Sequence, residues 1–284
     1  MQLLGEIIQF LFFSGLIVLI SKYILVRKLR SLAENLHLKA KTSGDIAGIA
    51  TSVPELLTIG ASSINGLVGA SIYNVLSSNV INLIQYIGAI ILNKNQKALK
   101  NKAIKVDILL VIITIIMPIL FSIFKSEFKL AMVPILIILY LGFKNINNNA
   151  HKLYPIKGEE LNDFSSNKTL NSKKIEKIKV IKDIGILLSV GVFLFVIGDL
   201  LGNTLDTLCR RFNVPEIVIG ILLGFVTSIP ELITFFEAQK HHKNVQNDML
   251  GVIESTNNLL MSNMMNLFII QSVGIVLFSI FCVI

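Results

Sequence analysis

The chain has 284 residues, of which 53% are hydrophobic and only 15% charged, with a mean hydropathy of +0.73. Soluble domains average about 25% charged residues, so this composition excludes an ordinary soluble globule. The net charge of +8 raises nucleic acid as a partner, but the basic residues lie between apolar runs, which makes them a topology signal. The two cysteines, Cys209 and Cys282, form no CxxC pair, so neither a disulfide framework nor a zinc site is indicated.

Apolar runs long enough to cross a ~30 Å hydrocarbon core recur along the chain. In order they are Leu3–Leu25, Gly44–Ile64, Leu67–Leu92, Ile104–Phe124, Leu130–Gly142, Ile181–Leu201, Pro215–Glu237 and Met249–Phe278. The first is too long for a signal peptide and lacks a small-residue cleavage site. The fifth is short and reaches Asn145 at most. The expectation is an all-α membrane protein of eight helices. Residues 1–143 form a first half with helices one to five. Residues 144–180 form a basic linker, and residues 181–284 a second half with helices six to eight.

Lys and Arg crowd alternate loops. The loops after helices one, three, five and seven hold every one of them except Lys125, Lys129, Arg210 and Arg211. Basic loops face the cytoplasm, so the N-terminus is expected outside and the chain is expected in the cell membrane. His37, His151, His241 and His242 fall in the basic loops and are expected to be solvated. The adjacent His241 and His242 offer an alternative metal locus, weaker than the solvated reading.

The chain repeats itself. Thr51-Ser52-Val53-Pro54-Glu55-Leu56-Leu57-Thr58 matches Thr227-Ser228-Ile229-Pro230-Glu231-Leu232-Ile233-Thr234 at six of eight positions, with an offset of 176. In the next helix of each half, Asn74, Ser78, Asn79, Asn82 and Leu83 match Asn258, Ser262, Asn263, Asn266 and Leu267, with an offset of 184. The copies lie five helices apart. An odd number inverts the second copy in the bilayer, a recurrent transporter design with its site at the repeat interface.

Pro54 and Pro230 cannot donate to the carbonyls of Ala50 and Val226, and Gly48 and Gly224 lie nearby. Broken helices in a membrane are tolerated where they line a cavity. Thr51 and Glu55 share a helix face, as do Thr227 and Glu231. Asn74, Ser78 and Asn82 step by four along one helix, and Asn258, Ser262 and Asn266 along another. All these groups offer oxygen, which suits hard cations, and the absence of Cys and His disfavours zinc or copper. Ser, Thr and Asn often serve only as glue between membrane helices. Two mid-membrane Glu at matched positions are costly and point to function. Glu254 matches Ala70 in the repeat and is expected nearer the interface. Asp45 and Asp199 each follow Gly, but no GxGD pattern surrounds them, and neither HExxH nor GxSxG is present.

With TSVPE and SNVIN in one half and TSIPE and SNMMN in the other, the chain resembles the cation/calcium antiporter superfamily, whose best-known members are the sodium/calcium exchangers. The likeness covers Gly44–Leu92 and Val214–Ile270. It implies ion sites between helices two, three, seven and eight. Glu55 and Glu231 would be the shared carboxylates, with oxygens from Thr51, Ser52, Thr227, Ser228, Ser78, Asn82, Ser262 and Asn266. Carbonyls of Gly48 and Gly224 would serve a sodium site, while helices one and six slide to switch access. It implies no resident cofactor, only transported Ca²⁺ and Na⁺.

Two departures stand out. Ser77 and Met261 replace a glycine of the second motif, and the second half is expected to lack the last two of the family's ten helices. The exposed flank would favour association with a second copy. Potassium-dependent relatives carry an acid where this chain has Asn266, so transport independent of K⁺ is expected. The function implied is exchange of Ca²⁺ for Na⁺ by alternating access. The rivals are H⁺-coupled exchange, another divalent substrate such as Mn²⁺ or Mg²⁺, and a cation channel. An enzyme is not expected, for want of a nucleophile or metal constellation.

Overall fold

A computed structural model describes residues 2–28, 31, 39–123, 130–154, 177–244 and 248–282. Among them every regular element is a helix. Lipid offers the backbone no hydrogen bonds, so a spanning segment must satisfy its own, and the helix does this within one strand of chain.

α1 spans Gln2–Ile20 and continues as a π-helical turn, Ser21–Val26. α2 spans Ala40–Thr51 and α3 Val53–Ile64. α4 spans Val68–Leu92 and leads through a 3₁₀ turn, Gln96–Lys100, to α5, Lys102–Ile123. α6 spans Met132–Leu153. α7 spans Lys177–Asp206 and ends in a π turn, Thr207–Arg211. α8 spans Glu216–Thr227 and α9 Ile229–Asn244. α10, Asp248–Met264, runs through a π segment, Met265–Ile270, into α11, Gln271–Cys282.

Six described helical stretches are long and apolar enough to cross a membrane: Gln2–Val26, Val68–Leu92, Lys102–Leu120, Ile181–Arg211, Glu216–Lys240 and Met249–Cys282. The chain is a multi-pass helical membrane protein. Two of the eight expected crossings fall outside that set. One is α2–α3, broken at Ser52 and rich in small polar residues; the other is α6, whose last third is polar. Large apolar side chains face outward on most spans, among them Leu4 on α1, Ile84 on α4, Ile138 on α6, Leu188 on α7 and Phe225 on α8. In water such a surface would aggregate, whereas in a bilayer it is the solvent-facing side.

The breaks fall at matched places. α2 ends at Thr51 and α8 at Thr227, and Ser52 and Ser228 share nearly the same backbone angles, φ −80° and −79° with ψ 0° and −1°. Pro54 and Pro230 occupy the second position of the next helix, where a missing N–H costs nothing. Each broken helix packs on the polar-striped helix of the other half, α2 on α10 and α8 on α4. Gly48 and Gly224 permit this approach. A Cβ on Gly48 would lie 2.7 Å from both the Asn258 carbonyl oxygen and the Met261 Cβ. One on Gly224 would lie 2.8 Å from the Ser78 nitrogen and would overlap the Ser77 hydroxyl. Small residues at such contacts let membrane helices meet backbone to backbone.

Apolar clusters brace this centre on two sides. One joins α4, α5, α6, α9 and α10, with Tyr86 edge-on to Phe235 at 5.9 Å and Phe143 edge-on to Phe268 at 5.0 Å. The other joins α1, α7 and α8 through Ile17, Leu194, Leu201, Leu205 and Leu223.

Two sequence expectations change. α6 does not stop at Gly142 or Asn145 but continues to Leu153. Its polar end is anchored: Lys144 pairs with Asp45 at 2.7 Å, Lys41 donates to Asn148 at 2.7 Å, and Asn147 donates to Asp107 at 2.8 Å. The histidines on it and beyond are also not all solvated. His151 is buried, its Nε2 2.8 Å from Asp107, and His242 is half-buried with Nε2 2.7 Å from Glu254. His37 and the side chain of His241 lie outside the described residues, as does most of the expected linker. Asp45 is thus ion-paired, and Asp199 is exposed on α7.

Candidate cation site

The two breaks turn Thr51, Ser52 and Glu55 from one half, and Thr227, Ser228 and Glu231 from the other, into the middle of the bundle. All six are at most 1% exposed. Facing them are Asn74, Ser78, Asn79 and Asn82 of α4, together with Asn258, Ser262 and Asn263 of α10 and Asn266 of the π segment.

The hydrogen bonds come in reciprocal pairs. Asn79 donates to the Asn263 carbonyl at 3.3 Å, and Asn263 to the Asn79 carbonyl at 3.2 Å. Asn82 donates to the Ser262 hydroxyl at 3.4 Å, and Asn266 to the Ser78 hydroxyl at 3.2 Å. Asn74 donates to Thr58 at 2.8 Å, and Asn258 to Thr234 at 2.5 Å. Such mutual contacts define an isologous, two-fold arrangement. The axis passes where α4 and α10 cross, at Asn79 and Asn263.

These amides spend their N–H groups on structure and leave oxygens over. Among the described residues, Glu55 Oε1 and Oε2, Glu231 Oε2, Asn74 Oδ1, Asn82 Oδ1, Asn266 Oδ1 and Ser228 Oγ are buried and make no hydrogen bond. A buried polar atom without a partner costs about 1–3 kcal/mol, more if charged. Buried oxygens without donors beside two carboxylates suit a hard cation, which binds through oxygen.

The two-fold is imperfect at the carboxylates. Ser262 donates to Glu231 Oε1 at 2.9 Å, whereas its mate Ser78 donates to the Val75 carbonyl at 3.1 Å. Ser52 donates to the Gly48 carbonyl at 2.8 Å, whereas its mate Ser228 is the unpartnered hydroxyl. The Gly48 carbonyl also accepts from Thr51 at 3.3 Å, and the Gly224 carbonyl accepts the Ser228 N–H at 3.2 Å. Thr227 donates to the Leu223 carbonyl at 2.9 Å.

A family model described as sodium/calcium exchanger protein matches residues 6–145 and 182–282. The chain belongs to that family. Its members are transporters that exchange Na⁺ and Ca²⁺ across a membrane. Two structures of the sodium–calcium exchanger NCX_Mj have a similar fold. The one soaked with 10 mM Na⁺ and zero Ca²⁺ has 20% identity and a TM-score of 0.53. The one soaked with 2.5 mM Na⁺ and 10 mM Sr²⁺ has 22% identity and a TM-score of 0.51. Each likeness covers 97% of this chain and 83% of the other. No curated protein gives a sequence match.

In this exchanger-family chain, sequence reasoning missed two sets of polar residues. Thr58 and Thr234 close the repeated octapeptide and orient Asn74 and Asn258. Their recurrence in both copies was the signal that could have found them. The second set is a buried network: Asp107 accepts from Asn147 and meets His151, and Asn147 donates also to Asn257 at 3.2 Å. Its members lie on α5, α6 and α10 and share no local motif.

Proposed function

We propose that the chain is a secondary active transporter that exchanges Ca²⁺ for Na⁺ by alternating access, with the cation held between the two broken helices. Glu55 and Glu231 supply the charge that balances a divalent ion. Thr51, Ser52, Ser78, Asn82, Thr227, Ser228, Ser262 and Asn266 complete the cage, and the carbonyls of Gly48 and Gly224 serve its sodium sites. The observation that carries this reading is the cluster of buried oxygens without donors around two carboxylates, in a chain of the exchanger family. Matched breaks about a two-fold axis support alternating access over an open channel, because two equivalent halves can present one site to either face in turn.

The basic loops face the cytoplasm in this reading, and the N-terminus faces out. Hydroxyl and amide oxygens around only two acids suit Na⁺ as the exchanged ion, since neutral ligands coordinate it without titrating. The test is radiolabelled calcium uptake into vesicles holding the purified protein, under an imposed Na⁺ or H⁺ gradient. Uptake driven by Na⁺ is the expected result. Uptake driven only by H⁺ would replace the coupling ion, and Mn²⁺ or Mg²⁺ uptake in preference to Ca²⁺ would replace the substrate.

A further inference from the structure

Six asparagines recur in the repeat, and their side-chain oxygens divide evenly. Asn79 Oδ1 accepts from Asn266, and Asn263 Oδ1 from Asn82, each at 3.2 Å. Asn258 Oδ1 faces the Thr51 hydroxyl at 3.5 Å. Asn74, Asn82 and Asn266 keep theirs buried and without a hydrogen bond among the described residues. Asn82 and Asn266 belong to the cage already. Asn74 does not, yet its oxygen is in the same condition.

Hydroxyl donors settle which way the Asn74 amide points. Thr58 has one hydroxyl proton, and the carbonyls of Pro54 at 3.0 Å and Glu55 at 3.1 Å take it. Toward Asn74 the Thr58 oxygen can then only accept, so the group 2.8 Å away is the amide NH₂. Oδ1 turns away from Thr58. What it turns toward follows from the two-fold. Asn258, at the matching place, has its NH₂ on Thr234 and its Oδ1 on Thr51. The mate of Thr51 is Thr227, whose hydroxyl donates instead to the Leu223 carbonyl at 2.9 Å. Asn74 Oδ1 therefore receives no proton from it. α8 passes directly against Asn74 here, since a Cβ on Gly224 would lie 3.0 Å from the Asn74 carbonyl oxygen.

Resting on the exchanger reading above, we propose that Asn74 is a further cation ligand, its Oδ1 joining the Thr227 hydroxyl and the Gly224 carbonyl around a sodium ion. These three oxygens are neutral. They suit a monovalent hard ion, because calcium affinity depends on the number of charged ligands. Thr58 is the positioning residue that aims the amide. Asn258 is not equivalent, because both ends of its amide are engaged by protein groups. The rival role for the Asn74 oxygen is to hold an ordered water between α4 and α8.

The test is equilibrium binding of radiolabelled Na⁺ and, separately, Ca²⁺ to the purified whole chain in mild detergent, with choline holding the ionic strength. N74L removes the oxygen at similar volume. It is expected to raise the half-saturating Na⁺ about tenfold while moving that for Ca²⁺ by less than about twofold. N74D keeps an oxygen at the site and adds charge, so it should bind Na⁺ at least as tightly as the wild type. Unchanged Na⁺ binding in N74L, or equal weakening of both ions, overturns the proposal and leaves the water-holding role. Should N74L not fold, N74D decides alone: Na⁺ binding weaker than wild type overturns the proposal, and binding as tight or tighter upholds it. A wild-type chain that binds Ca²⁺ and Na⁺ while N74L matches it fails this proposal only. A wild-type chain that binds neither ion fails the exchanger reading, and this proposal with it.

Discussion

Glu55 and Glu231 hold matched places but not matched partners. Glu231 accepts from Ser262, while the matching Ser78 turns to the Val75 carbonyl instead of Glu55. Removing either charge leaves one carboxylate to face a divalent ion in an interior where charge is poorly screened. We expect E55Q and E231Q each to lower gradient-driven calcium flux by about two orders of magnitude, since truncating one side of a buried charge pair costs 2–5 kcal/mol. Retention of most of the flux by either variant, at equal protein in the vesicles, would remove that residue from the cage. Charge also bears on potassium. Asn82 and Asn266 are buried, neutral and already bonded through their N–H groups to the opposite half. Among the described residues the cage thus has no third acid to balance an additional cation, and Na⁺-driven calcium flux is expected to be the same in K⁺ as in choline. A steep K⁺ dependence would show that further negative charge reaches the site.

At the scale of the element, the repeated octapeptide foretells where the helices break, because proline and its neighbours act locally. Adding 176 to the bounds of α2 gives those of α8. The purpose of the nearby glycines is not local, and periodicity alone does not show it: Gly48 and Gly224 are small because a helix from the other half lies against them. G48A and G224A should therefore each destabilise the protein by about 1–3 kcal/mol through overpacking, in spite of the better helix propensity of Ala. G142A is the control, since a Cβ there meets nothing within 4 Å. Thermal unfolding in mild detergent measures the difference, and equal melting of G48A and G142A would mean that the α2–α10 contact yields without cost. The length of α6 was hidden for a related reason. Residues 144–153 read as loop because their polar side chains have no partners in sequence, and their partners Asp45, Asp107 and Asn257 become neighbours only when α2, α5 and α10 assemble.

On the scale of the molecule, the two-fold and the basic loops make one prediction that neither makes alone. The Asn65–Gly66 turn, the Cys209–Glu216 segment and the end of α11 meet at one end of the bundle. Cys209 and Gly66 line the same cavity, and the Cys282 sulfur lies 3.7 Å from the Ser63 carbonyl oxygen and 3.4 Å from that of Ile64. The basic segments from Gln96 to Lys105 and around Lys144 belong to other connections, which the distribution of Lys and Arg assigns to the cytoplasm. Both native cysteines should then face outward. Cys282 is exposed and Cys209 only half-exposed, so they should react at different rates from the same side. A membrane-impermeant maleimide added to intact cells is expected to label Cys282 first and Cys209 more slowly, as read by mass shift in C209S and C282S single variants. The same reagent sealed inside right-side-out vesicles should label neither. Labelling of both only from the inside would invert the whole molecule in the membrane. Labelling of one cysteine from each side would break the shared end itself, and with it the packing of α11 against the turn after α3.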